Sequence, residues 1–177
     1  MISIATEVRD VYQVSTQSLF DERGYFRRLY DQSIFERVTQ GVVVQTSISE
    51  NSIKGTVRGL HYQKQPSLEW KFVTCLTGSI YDVLVDLRPS EKTYGKHITF
   101  NLHEQSSLIL IIPPGVAHGF QTLSDNTKVM YQMTDYFNPN LSARVKWNDE
   151  ALGISWPLEA TAISCEDREA NSWPQEY

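Results

Sequence analysis

Residues 80–87 can separate their apolar and ionic side chains only as an extended strand. Tyr81, Val83, Val85 and Leu87 then fall on one face and Asp82 and Asp86 on the other. A helix would wind the same residues around its axis and mix the two kinds. The apolar face must pack into a core, and the carboxylate face needs water or partners. Within His97–Leu102 the apolar residues again fall on alternate positions, the pattern of a half-buried strand. Leu108-Ile-Leu-Ile-Ile112 is apolar throughout and stops at Pro113-Pro114-Gly115, which fits a strand buried on both faces. Short β-rich runs with turn signals between them predict an all-β antiparallel sandwich or barrel.

Helical signals are few. Ser33 and Glu36 form a capping box and Gly41 a stop, which predicts a helix over Ser33–Gln40. Trp147-Asn-Asp-Glu and Ser164-Cys-Glu-Asp167 offer caps for short C-terminal helical turns. The predicted organisation is one domain over 1–177, with a barrel at about 42–137 and a helical appendage at about 147–177. A chain of this length buries roughly two-thirds to 70% of its unfolded surface, so it needs no metal or disulfide staple to fold.

Composition narrows the function classes. Sixteen basic against 21 acidic residues give a net charge of −5. No basic cluster exists to neutralise a nucleic-acid backbone, and the longest apolar run, Leu108–Pro114, is too short to span a bilayer. Nucleic-acid and integral-membrane roles are disfavoured. The first residues lack the basic start and apolar stretch of a signal peptide, so the expected location is the cytoplasm. Cys75 and Cys165 are too few and too isolated for a disulfide framework or a CxxC metal site.

Of four histidines, His97 and His103 look like surface positions, while His61 and His118 each sit near glycines and other functional types. Pro113-x-Gly115-x-x-His118 matches the second half of a cupin signature. The first half requires a His-x-His pair, yet Gln63 stands two residues after His61, so a typical three-histidine metal site cannot be assembled and a metal-free cupin is the better reading. On a strand, His61 shares a face with Val57 and Gln63; Lys71 shares one with Val73, and Tyr131 with Val129 and Met133. An imidazole, an ammonium and a phenol converging in one barrel suit proton abstraction beside a carbonyl, as base, enolate stabiliser and acid. Each also has an ordinary reading: a satisfied core histidine, a solvated lysine, a barrel-filling tyrosine. Asp167, three residues after Ser164, could simply close a capping turn. Strict alternation puts Arg58 opposite His61 unless Gly59 permits a bulge.

Asp21-Glu-Arg23-Gly24-Tyr-Phe26, Arg58-Gly-Leu-His61-Tyr-Gln63, Lys71, Asp82-Val-Leu-Val-Asp-Leu-Arg88, Pro113-x-Gly-x-x-His118-Gly-Phe120, Tyr131 and Trp147-Asn-Asp149 occur in this order. Over nearly its full length the chain resembles the dTDP-4-dehydrorhamnose 3,5-epimerases. The resemblance implies a cupin jelly-roll barrel with short flanking helices, a homodimer, no metal or cofactor, and a nucleotide-linked 4-keto-6-deoxyhexose as substrate. It implies His61 as base, Asp167 as the carboxylate that orients it, Tyr131 as acid and Lys71 near the C4 oxygen. Arg23, Gln45, Ser47, Arg58 and His118 match positions that hold the sugar nucleotide.

The chain departs from the family pattern at identifiable positions. Gln45-Thr46-Ser47 replaces Gln-Asp-Asn, one more residue precedes Arg58, a glutamate after the Gly24 motif is Arg28, a later binding glutamate aligns with Ser142, and the lysine before Asp167 is Glu166. The catalytic set is intact and the nucleotide contacts are altered, so the resemblance supports the reaction more than a particular nucleotide. The competing functions are a 3,4-ketoisomerase of a nucleotide-linked ketosugar and a catalytically silent sugar-nucleotide-binding cupin. Tyr131 opposite His61 favours inversion over isomerisation, and the complete set of four favours catalysis over silent binding.

Overall fold

The computed structural model describes residues 2–39 and 41–173. In chain order the elements are β1 (Ile2–Ala5), β2 (Tyr12–Ser15), the hairpin β3 (Ser18–Asp21) and β4 (Gly24–Arg27), and α1 (Gln32–Thr39). Then come β5 (Gln45–Asn51), β6 (Val57–Gln63), β7 (Lys71–Thr77), β8 (Ser79–Asp86), β9 (His97–His103) and β10 (Leu108–Ile112). The chain continues through β11 (Val116–Thr122), β12 (Thr127–Met133), β13 (Ser142–Arg144), a 3₁₀ turn (Glu150–Leu152) and α2 (Cys165–Arg168). One sheet has the order β1-β2-β10-β7-β12-β5 and the other β13-β6-β11-β8-β9, while β3 and β4 pair only with each other. All strand pairings are antiparallel, and the architecture is the cupin-type jelly roll that the resemblance implies.

The three strands predicted from periodicity are present as β8, β9 and β10. The sheets also recruit β1, β2 and β13, which lie outside 42–137. Helix α1 starts one residue before the predicted Ser33. Its cap is Asp31, whose Oδ1 accepts from the Ser33 amide at 3.2 Å and the Ser33 hydroxyl at 2.6 Å. Ser33 therefore donates to the cap instead of forming it. Gln40, the predicted last helical residue, lies outside the described residues, as do positions 174–177 of the predicted appendage. The two C-terminal caps occur: Asp149 accepts from the Ala151 amide and Ser164 from the Asp167 amide.

The central strands of both sheets are buried on both faces. Between them pack Val73, Leu84, Leu110, Phe120 and Val129. The outer face of the second sheet, with Leu60, Val83 and Val85, is covered by Val145, Leu152, Trp156 and Trp173 of the C-terminal segment. The outer face of the first, with Phe72, Ile109 and Ile111, is covered by Phe35 of α1 and its neighbours. Each large aliphatic or aromatic side chain so buried contributes about 1.5–3 kcal/mol.

Burial on both faces changes the lot of the two aspartates of β8, which meet partners and not water. Asp82 Oδ2 lies 2.7 Å from His118 Nε2. Asp86 accepts from Arg88 Nε at 2.8 Å and the Thr93 hydroxyl at 2.6 Å. Burial pushes Asp86 up, and these bonds outweigh it and hold the carboxyl below its usual range. Cys75, inside the barrel, has its thiol pushed up to about 12 by burial and acts as a packing group.

Strand β6 carries the irregularity on which the interior depends. His61 stands opposite His118 and Arg58 opposite Phe120, so three steps on β6 match two on β11. The extra residue is accommodated at Gly59, whose φ of 114° lies where side-chain-bearing residues rarely go. The strands cross here on two glycines: a Cβ on Gly59 would sit 2.6 Å from Gly119 Cα, and one on Gly119 would sit 2.7 Å from the Arg58 carbonyl oxygen. The bulge overrides strict alternation. Arg58 joins the face of His61, and Val57, paired with Gln121, turns to the other side.

Gly119→Ala is expected to destabilise the fold by about 1–3 kcal/mol, because the new methyl meets backbone and Leu60 with no flexible group to yield. Urea unfolding checks this, and an unchanged midpoint would show that the strands have room to part.

Candidate active site

A cavity of about 280 Å³ opens between the two sheets, and His61, Lys71 and Tyr131 all line it. Strand β6 supplies His61 and Gln63; β13 supplies Ser142 and Arg144. The facing wall comes from the other sheet, with Lys71 on β7, Tyr131 and Met133 on β12 and Ser47 on β5. Ser47 and Tyr131 are directly paired in register, as are Lys71 and Met133, so the strand period brings these groups to one face.

His61 Nε2 lies 2.6 Å from Asp167 Oδ1. With Nε2 on the carboxylate, Nδ1 is the ring nitrogen that Asp167 does not engage. Asp167 is held from three further directions. Its Oδ2 accepts from the Gly59 amide at 3.1 Å, its Oδ1 also accepts from Arg144 Nε at 3.1 Å, and its own amide donates to the Ser164 hydroxyl at 3.1 Å. Ser164 therefore makes the capping turn, and the Asp167 carboxylate is left to meet the imidazole, the Gly59 amide and Arg144. Burial pushes Asp167 up, but the His61 hydrogen bond and charge, the Gly59 amide and Arg144 together hold it below the ordinary 3.8.

Tyr131 has the opposite electrostatics. Burial of the phenol pushes it well above its usual range, the nearby Asp82 charge adds to this, and Ser49 and Arg58 oppose it only in part. The group keeps its proton and is a donor. Lys71 Nζ lies 3.4 Å from Glu69 Oε1, and Glu69 Oε2 accepts from Gln63 Nε2 at 3.0 Å. The ammonium is thereby held at the cavity wall by a carboxylate that is itself anchored to β6.

The predicted binding residues are distributed unevenly. Ser47 lines the cavity. Gln45 supports its rim, since its Oε1 accepts from the Phe137 amide at 2.6 Å and Phe137 lines the opening. Arg58 lines an adjoining cavity of about 470 Å³ that shares His61 and Arg144 with the first and is lined by Asp167 as well, and its Nε donates to Asn51 Oδ1 at 2.6 Å. His118 is buried with Asp82, its ring edge-on to Tyr131 at 6.0 Å between centroids. Arg23 lies at the tip of the β3–β4 hairpin, away from the cavity, paired with Asp21 at 2.5 Å. Among the described residues no three His, Cys, Asp or Glu side chains gather as a metal-holding group.

Three of the departures also find their places. Ser142 lines the first cavity and Glu166 the adjoining one, whereas Arg28 forms an exposed pair with Asp31 at 3.1 Å. Sequence reasoning missed Glu69 and Arg144. Glu69 carries a usable signal, its even spacing from Lys71. Arg144 carries none, because β13 is only three residues long and shows no period.

A family model described as dTDP-4-dehydrorhamnose 3,5-epimerase matches residues 5–175. The chain is 37% identical over 174 residues to the dTDP-4-dehydrorhamnose 3,5-epimerase of Salmonella typhimurium, covering 96% of this chain and 94% of that protein. It superposes with a TM-score of 0.92 and 34% identity on the Bacillus anthracis dTDP-4-dehydrorhamnose 3,5-epimerase solved with TDP and pyrophosphate, covering 97% of this chain and 98% of that one. A Legionella pneumophila dTDP-6-deoxy-D-glucose-3,5-epimerase, solved with dTDP-4-keto-L-rhamnose, gives a TM-score of 0.90 at 32% identity, covering 97% and 92%.

Asp167→Asn is expected to lower the melting temperature at about pH 7, with the gap to wild type closing towards about pH 2. The sign follows from the depressed carboxyl: its contribution is complete above the ordinary 3.8 and disappears as pH falls through the lower folded value. A gap equal at both pH values would show that the pairing does not stabilise the fold.

Proposed function

Because this chain belongs to the dTDP-4-dehydrorhamnose 3,5-epimerase family, we propose that it inverts C3 and C5 of a nucleotide-linked 4-keto-6-deoxyhexose by removing and returning protons. The observation that carries this is the meeting of His61, Lys71 and Tyr131 on one cavity. The C4 ketone acidifies the protons at C3 and C5. His61 takes a proton through Nδ1, and Asp167 supports the imidazolium charge that results. Lys71 presents its ammonium to the oxyanion that develops at C4, and Tyr131 returns a proton from the other side of the ring. General acid–base help of this kind contributes about 10²–10⁴-fold, and a placed donor at an oxyanion about 2.7–4 kcal/mol.

Support for inversion comes from position and charge together. His61 belongs to one sheet and Tyr131 to the other, so a sugar between them meets base and acid on opposite faces. Asp167 is kept ionised to carry the imidazolium and Tyr131 is kept protonated to donate. The alternatives, ketoisomerase and silent binder, gain nothing from the relatives, which are epimerases by name. The Bacillus and Legionella structures hold thymidine nucleotides, which makes dTDP the first nucleotide to try. We place the enzyme in the cytoplasm.

We also propose a homodimer, supported by the β3–β4 hairpin. It pairs with neither sheet, and Leu19, Phe20, Tyr25 and Phe26 are each more than half exposed on it. A patch of this kind marks an interaction surface, and Arg23 at its tip would then serve the cavity of the second copy. Light scattering is expected to give two copies, and replacing Phe20 and Phe26 by serine to give one; a wild-type monomer rejects the reading.

The reaction is tested by incubating the protein with nucleotide-linked 4-keto-6-deoxyglucose in deuterium oxide. Two deuteriums are expected in the product by mass spectrometry; one would restrict inversion to a single carbon, and none would remove the proposed activity. Tyr131→Phe is expected to melt normally and to lose most of the epimerised product, by roughly 10²-fold or more, while His61 still washes deuterium into the original configuration. Wild-type epimerisation by that variant, read by proton NMR, would assign the acid to another group.

A further inference from the structure

We propose that Arg144 is a positioning residue of the His61–Asp167 pair, a permanent cation that keeps the carboxylate in place while the imidazole changes charge. The proposal rests on the epimerase reading of the same site. Its basis is the sharing of one oxygen atom: Asp167 Oδ1 lies 2.6 Å from His61 Nε2 and accepts from Arg144 Nε at 3.1 Å. The strand register makes this sharing structural, because β13 pairs Arg144 directly opposite His61 on β6. Residues so paired project to the same side with their Cβ atoms about 4.5–5.5 Å apart. Asp167 arrives from α2 to meet both, and its other oxygen is taken by the Gly59 amide at the bulge.

The need for a second cation follows from the catalytic cycle. His61 is neutral before it takes a proton and cationic after. The Asp167 side chain is only 5% exposed, so an ionised carboxylate there must keep its partners in both states. The imidazole attracts it strongly in one state and weakly in the other. A guanidinium stays charged throughout and donates in a fixed plane, so Arg144 supplies the attraction that does not vary. It prevents the carboxylate from relaxing away from His61 in the resting enzyme, where the orientation of the base has to be set. The chain has Glu166, an anion, where the family pattern puts a lysine beside the dyad aspartate. Here the positive charge next to Asp167 comes from β13, and Arg144 and Glu166 line the same adjoining cavity.

Arg144 also lines the first cavity, so a direct contact with substrate is the competing explanation. Steady-state kinetics of wild type, Arg144→Gln, Arg144→Lys, Asp167→Asn and the Arg144→Gln/Asp167→Asn double variant separate the two, with thermal melting as the folding control. Arg144→Gln is expected to lower kcat on the order of tenfold with KM little changed, and Arg144→Lys to recover part of it. In the Asp167→Asn background, Arg144→Gln should cost little more. An unchanged kcat, an equal loss in both backgrounds, or a raised KM with kcat retained would overturn the proposal. The second readout needs no turnover: the downfield ring N–H proton resonance of His61, absent in Asp167→Asn, should move or broaden in Arg144→Gln. An unchanged resonance there overturns the positioning role, whereas a wild-type protein that exchanges no deuterium overturns the epimerase reading instead.

Discussion

The extra residue that β6 inserts at Gly59 turns Arg58 from the outer face of the sheet to the inner one without moving His61 off it. It also frees the Gly59 amide from the regular ladder, and that amide donates to Asp167 Oδ2. One local irregularity thus anchors the carboxylate that bonds His61 and delivers a cation to the same side. The crossing is possible only because Gly119 faces Gly59, since a methyl on either would collide with backbone. The glycines that look like spacers within the two motifs are the hinge about which the site is built.

The register of β6 on β11 also makes His61 and His118 direct neighbours, each with its own aspartate. The two pairs do different work because they are solvated differently. His61 has 41% of its side chain exposed and opens to the cavity, whereas His118 is 4% exposed and closed in by Asp82. Asp82 Oδ1 has no hydrogen-bond partner among the described residues, an expensive arrangement in a barrel interior. Its charge adds to the burial that keeps Tyr131 protonated. In the proposed mechanism the inner pair therefore bears on the acid and the outer pair on the base.

Much of this was legible in the sequence wherever a side-chain period ran long enough. Strands β8, β9 and β10 announce themselves by alternation or by an unbroken apolar run ending at Pro113. That Lys71 and Tyr131 face the interior followed from their parity with Val73 and with Val129 and Met133, whereas for His61 the parity with Val57 is broken at the bulge and only that with Gln63 holds. Alternation failed at Arg58 because a bulge breaks parity, and the glycine that permits it shows where the break can occur but does not require it. The cap of α1 was misplaced since Asp31 and Ser33 are both good caps and only geometry chooses between them. Strands β1, β2 and β13 are three or four residues long, too short to show a period, and the chain-distant pairings that recruit them leave no local trace. Arg144 was invisible for the same reason.

Several positions where the chain departs from its family stand beside the candidate catalytic groups. Ser47 and Ser142 line the first cavity with His61, Lys71 and Tyr131, and Glu166 lines the adjoining one with Asp167. In the proposed mechanism the groups that move protons need close geometry, and each is fixed by a strand register or a buried hydrogen bond, so a change there disturbs the barrel as well as the proposed chemistry. Exposed groups around them make partly hydrated contacts, where an exchange of charge alters interactions by modest amounts. Arg144 belongs to both zones, with its Nε on the dyad carboxylate and its side chain along both cavities. It is thus the side chain that joins the lining of both cavities to the carboxylate holding His61.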